Sequence, residues 1–116
     1  MTYFQPSETK CKCGCGQDIL PALRDALDDL REMVGFPLEV ASGFRCPKRN
    51  ALVGGARDSM HLRGLACDLV WPVSVSDRHA LAREALASFS GVGFYETFIH
   101  VDLRHLVKKR LSLWVN

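Results

Sequence analysis

The sequence has no apolar run approaching the ~20 residues that a bilayer-spanning helix needs, which excludes such a span. Its opening, Met1 to Lys10, is polar and lacks the apolar stretch of a secretory signal. The expectation is synthesis in the cytoplasm, with any export supplied from elsewhere. There is no excess of one charge: 15 Lys+Arg against 13 Asp+Glu leave a formal net charge of +2, too weak to argue for nucleic acid as a partner. Internal repeats and low-complexity tracts are missing. The cysteines number five, and an odd count rules out a fully paired disulfide framework.

What remains is the balance of an ordinary globular chain. The 116 residues fit one domain, residues 1–116, with 47% hydrophobic and 24% charged side chains. A chain of this length buries roughly 65% of its unfolded surface, enough for one core. Acidic residues gather early, at Asp25, Asp28, Asp29 and Glu32; Arg104, Lys108, Lys109 and Arg110 cluster late. The late cluster reads as a solvated basic tail, with attraction to an anionic polymer such as a cell wall as the alternative. Three cysteines fall in Cys11-Lys12-Cys13-Gly14-Cys15-Gly16, and the others are Cys46 and Cys67. Alternate-residue cysteines can bind a soft metal, but structural zinc sites more often use pairs two to four residues apart. Small buried thiols at a tight glycine turn are the plainer reading.

Leu20, Leu23, Leu27 and Leu30 recur at helical spacing, with Met33 and Val34 closing the stripe. Asp18 is the expected cap, Pro21 suits the first turn, and Gly35 followed by Pro37 stops the helix. Leu38 to Ser42 reads as a short strand. Gly43 to Ser59 is a long loop, perforated at most by a helical turn, and loops of that length in compact domains are usually functional. Gly64 to Trp71 is the next strand. Ser76 opens a helix carrying Leu81, Ala82, Ala85, Leu86 and Phe89 on one side. Val92 to Tyr95 and Phe98 to Leu103 follow as two strands joined at Glu96-Thr97. For Arg104 to Asn116 the pattern leaves helix and strand open. Strands flanked by helices without strict alternation give an α+β class, a small mostly antiparallel sheet with flanking helices.

The chemistry lies where polar residues interrupt apolar strands. Asp68 is the one charge in Gly64 to Val70, on the face of Ala66 and Val70. A carboxylate there is costly unless a cation or metal partners it. In Phe98 to Leu103, His100 and Asp102 share one face, and Ile99, Val101 and Leu103 take the other. With His61 at the entrance to the first strand, His61, Asp68 and His100 form a mixed nitrogen/oxygen set of three. Three protein ligands leave zinc one open position, which hydrolysis requires. Hydrogen-bonded core histidines are the alternative that spacing alone leaves standing.

Ser59-Met60-His61-Leu62-Arg63-Gly64-Leu65-Ala66-Cys67-Asp68 resembles the Ser-x-His-x-x-Gly-x-Ala-x-Asp signature of the zinc D-Ala-D-Ala carboxypeptidase family. That family includes peptidoglycan peptidases and phage endolysins and shares its fold with the hedgehog signalling domain. Ser42-Gly43-Phe44-Arg45, Asn50-Ala51-Leu52-Val53-Gly54-Gly55 and His100-Val101-Asp102 followed by Arg104 resemble further family segments in the same order, from about Phe4 to Arg104. The resemblance implies Zn2+ on His61, Asp68 and His100. It implies that Arg45 binds the substrate carboxylate or the tetrahedral oxyanion, and that Ser59 bonds near the ligand loop or substrate. Gly64 and Gly54-Gly55 would shape the backbone around the site.

The family commonly places Glu or Asp three residues before its last His ligand, and here that residue is Thr97. The proton acceptor is then sought in Glu96 or Asp102, with Asp102 also suited to orienting an imidazole. His79 and His105 read as surface residues. The implied activity is zinc-dependent hydrolysis of peptidoglycan stem or cross-link peptides by a monomer. A phage or prophage protein of this kind reaches the wall after holin-type export or as part of a virion. Two other readings stand beside it: a zinc-bearing binding module of the same fold that does not cleave, and a small cysteine-zinc module binding nucleic acid through Cys11, Cys13, Cys15 and the basic tail.

Overall fold

A computed structural model describes residues 2–116. The elements run α1 (Pro6–Thr9), α2 (Pro21–Val34), β1 (Val40–Ser42), α3 (Pro47–Leu52), a 3-10 turn (Met60–Arg63), β2 (Ala66–Val70), α4 (Val75–Ser88), β3 (Gly91–Phe94), β4 (Phe98–Asp102), a second 3-10 turn (Arg104–Val107) and β5 (Ser112–Val115).

In α2, Leu23, Leu27 and Leu30 are fully buried, whereas Leu20 and Met33 at the ends of the stripe are exposed. Gly35 closes the helix in the left-handed conformation, as its sequence position suggests. Asp18 does not cap it. Pro21 sets the helix start, so Leu20 is the residue before the first turn, and it offers no side-chain cap. Asp18 instead accepts from its neighbour Ile19 N at 2.7 Å and pairs with Arg24 at 3.0 Å. Helix α4 begins one residue earlier than its pattern suggests because the Ser74 hydroxyl accepts from Asp77 N at 3.0 Å.

The five strands form one sheet in the order β1-β2-β4-β3-β5. The fold is α+β as expected, but the sheet is mixed. β1, β2, β4 and β3 pair antiparallel in that order, and β5 adds beside β3 in parallel. The tail left open by the sequence turns first through the 3-10 segment, which ends at Lys108 with φ 60°. The chain then returns along the sheet edge as β5.

Alternation divides the sheet into two faces. Cys67, Leu69, Ile99 and Val101 point into the core, all at zero exposure, with Leu23, Leu27 and Leu30 of α2 and Leu81 and Ala85 of α4. The other face carries a polar row set by register: Ser42 opposite Asp68, Asp68 opposite His100, His100 opposite Gly93, and Gly93 opposite Trp114. Among the described residues no helix is long and apolar enough to cross a membrane.

Candidate metal centre

His61 sits in the first 3-10 turn, whose N-terminus is held by the Ser59 hydroxyl accepting from His61 N at 3.2 Å. The turn aims the imidazole across β2, where it is 1% exposed. Its Nδ1 lies 2.7 Å from the Gly43 carbonyl and donates to it, which leaves the Nε2 lone pair 3.1 Å from Asp68 Oδ1. His100 on β4 repeats the arrangement with its nitrogens exchanged. Nε2 lies 2.8 Å from Asp102 Oδ2 and Nδ1 lies 2.9 Å from Asp68 Oδ1. The two rings meet edge to face with centroids 5.2 Å apart.

This donor set fits zinc. Each imidazole spends one nitrogen on a protein acceptor, so each presents a lone pair to the same ionised carboxylate. Lone pairs facing a carboxylate repel unless a cation lies between them, either a metal ion or, in its place, a proton that turns the contact into a hydrogen bond to Asp68. The three ligand atoms fall within 4.8 Å of one another, as bonds of about 2.0–2.2 Å to one ion require, and the outer partners are those that usually orient a zinc-bound histidine. Burial alone would raise Asp68, but hydrogen bonds from His100 and His61 hold its carboxyl well below the usual range. His100 is shifted the other way: burial lowers it, but the contacts with Asp102 and Asp68 prevail and raise it above its ordinary value.

Around these three residues the strands and loops enclose a cavity of about 380 Å³. Arg45 lines it, with its guanidinium shared among Asn50 Oδ1 at 3.1 Å, Ser42 Oγ at 3.3 Å and Asp68 Oδ2 at 3.4 Å. Asn50 is buried and also donates to Ala56 O at 2.8 Å, which folds the Gly54-Gly55 loop back over Arg45. Gly55 is required by close approach: a Cβ there would collide with the Asn50 side-chain oxygen and lie 2.6 Å from Arg45 Nη1. Across the sheet, Gly93 leaves room for Trp114 to lie beside His100, their rings 5.1 Å apart.

The two carboxylates offered by sequence as proton acceptors are placed apart. Asp102 has no exposed surface, and its oxygens are taken by His100, by Arg104 Nη2 at 2.7 Å, and by Arg104 N and Nε at 3.0 Å. Burial works against its charge, but His100 and Arg104 hold it down at about 2. Glu96 is exposed and lines a different hollow with Trp71, Arg78, His79 and Phe94. Ser59 both lines the cavity and caps the histidine turn. His79 and His105 are exposed, as expected.

Several cavity residues were not singled out by sequence. Asp58 is its one carboxylate besides Asp68, and pairs with Lys109 at 3.3 Å. Tyr95 accepts from Trp114 Nε1 at 3.0 Å. Arg104 and Lys109, read as part of a solvated tail, are both engaged with acids at the site. Alternation in β5, half-buried at Ser112 and Trp114 and exposed at Leu113 and Val115, is the signal that would have marked Trp114.

A family model described as Peptidase M15 matches residues 2–102. A search of curated proteins returns no match.

Proposed function

The chain belongs to the peptidase M15 family and is a zinc metallopeptidase, and we propose that its substrates are peptidoglycan stem or cross-link peptides with a D-amino acid on at least one side of the cut. The observation that carries this reading is the convergence of His61, Asp68 and His100 on a cavity that Arg45 also lines. His61, Asp68 and His100 would hold the zinc ion, which when bound would supply Lewis acidity toward a water and the scissile carbonyl.

The chain's own residues supply the rest. His61 is fixed by the Gly43 carbonyl and His100 by Asp102, so both ligand nitrogens are oriented before substrate arrives. Arg45 presents a planar fork suited to a substrate carboxylate or to charge developing on the carbonyl oxygen. Ser59 borders the same space and offers a hydroxyl to the peptide. Asp58, an exposed carboxylate that lines the cavity and pairs with Lys109, is the acceptor we assign to the water's proton, since the Asp102 oxygens are already bonded and Glu96 lines another hollow. Arg45, Arg104 and Lys109 line the cavity, and together with a divalent cation they favour an anionic peptide.

A phage or prophage role in wall lysis is the setting we propose for such a substrate. The deciding experiment is digestion of purified peptidoglycan by the zinc-loaded protein, with mass analysis of the muropeptides. New amino groups and peptides shortened at a D-residue are expected. Intact muropeptides at full zinc content would favour the binding-module reading instead.

A further inference from the structure

A second group of side chains, away from the peptidase centre, has the geometry of a metal site. Cys11, Cys13 and Cys15 come from the loop after α1, and Cys46 comes from the residue that precedes α3. Their four sulfurs lie within 4.8 Å of one another. Cys13 Sγ is 3.4 Å from Cys11 Sγ and 3.4 Å from Cys46 Sγ. Zinc–sulfur bonds of about 2.3 Å arranged tetrahedrally put sulfurs about 3.8 Å apart, close to these separations. A disulfide needs about 2.05 Å. Moreover, both short contacts share Cys13, so they do not divide the four sulfurs into two bonded pairs. A common ion satisfies all of them at once.

The surrounding backbone favours thiolates. Cys46 N points at Cys11 Sγ at 3.4 Å, Arg49 N points at Cys46 Sγ at 3.5 Å, and the Gln17 side-chain amide reaches Cys15 Sγ at 3.7 Å. Cys11 and Cys46 are buried, and Cys13 and Cys15 are exposed, so the expectation of small buried thiols holds for only part of the set. The Cys11 N–H donates to Gln17 O at 2.9 Å and closes the loop that carries the first three sulfurs.

We propose that Cys11, Cys13, Cys15 and Cys46 form a tetrathiolate zinc site that fastens the N-terminal loop to the segment carrying Arg45. The connection to the peptidase centre is short. Gly43 holds His61, Phe44 N donates to Thr9 O at 2.9 Å, Arg45 reaches Asp68, and Cys46 ends the segment. An ion on Cys46 therefore anchors one end of the strip that positions both a ligand and the substrate-binding arginine.

The test is metal content and spectroscopy on the full chain, without reference to turnover. Protein purified under reducing conditions is expected to hold about two zinc ions. The Cys13→Ser/Cys15→Ser double variant is expected to hold about one, and so is His61→Ala/His100→Ala, each losing a different ion. With cobalt in place of zinc, thiolate-to-metal charge-transfer absorption should appear in the wild type, persist in the histidine variant and vanish in the cysteine variant. Should the cysteine variant fail to fold, the wild type still decides: zinc should protect exposed Cys13 and Cys15 from alkylation, and a chelator should restore their reactivity. About one zinc per wild-type chain that the cysteine variant retains in full, no thiolate absorption, alkylation indifferent to zinc, or a mass short by the hydrogens of a disulfide would each overturn the proposal. Failure of peptidoglycan cleavage leaves all of these readouts unchanged, so the two readings fail separately.

Discussion

His100 Nε2 and Asp102 Oδ2 lie 2.8 Å apart, on the same face of β4 and two residues apart in sequence. The strand period makes the pairing automatic once either residue faces the site. Asp102 is in turn clamped by three contacts from Arg104, which places it to fix the His100 ring. Asp102→Asn keeps the volume but turns an amide N–H2 toward donors. Zinc affinity at the histidine site is expected to fall about 10- to 100-fold, read by competition with a chromophoric chelator. Activity should recover in part when zinc is supplied in excess. An unchanged zinc affinity would reduce Asp102 to a structural ion pair.

The two acids outside this clamp give opposite expectations. Glu96→Gln alters an exposed turn residue that lines another hollow, and activity should stay at the wild-type level. Asp58→Asn removes the cavity's remaining carboxylate, and kcat should fall about 10²- to 10⁴-fold with zinc content retained. Turnover by Asp58→Asn equal to wild type would remove Asp58 from the chemistry.

At Gly55 the prediction is steric. The Cβ of Gly55→Ala would strike the Asn50 amide and press on the Arg45 guanidinium. Overpacking of this kind costs about 1–3 kcal/mol, measurable by denaturant titration. Because Arg45 is what moves, KM should rise while zinc content stays at the wild-type value. An unaltered KM would separate Arg45 from substrate binding.

The candidate metal triad was legible partly because polar residues interrupt apolar strands locally, and partly because Ser59 to Asp68 resembles a family signature. An aspartate and a histidine interrupting apolar strands identify their own faces, and antiparallel register then sets Asp68 opposite His100. Other features depend on contacts that no window of sequence contains. β5 pairs with β3 in parallel only because the chain turns back after Lys108, so its alternation stayed ambiguous and Trp114 read as one apolar tail position among several rather than as part of the site. The spacing of Cys11, Cys13 and Cys15 looks wrong for zinc until Cys46, 31 residues beyond Cys15, arrives as the fourth sulfur. Arg104 reads as a tail charge, yet it is the counterion of a fully buried aspartate two positions away. Asp18 precedes a helix and has capping chemistry, but Arg24 competes for it.

Zinc and a proton compete for His100, which fixes the sign of the pH dependence. Its Nδ1 faces Asp68 and its Nε2 faces Asp102. Burial disfavours imidazolium, but the two carboxylates outweigh it and raise the group above its ordinary 6.5. To ligate, Nδ1 must give up its proton. Zinc affinity is therefore expected to be full above the raised pKa and to fall by about tenfold per unit below it for a one-proton exchange. The decline should begin at a higher pH than a free histidine would show. Calorimetric titration in two buffers of different ionisation enthalpy should register proton release on zinc binding near neutrality. Asp102→Asn removes one carboxylate, so the onset should move to lower pH even as the overall affinity drops. A pH profile identical in the two proteins would mean that Asp102 does not govern the proton that zinc displaces.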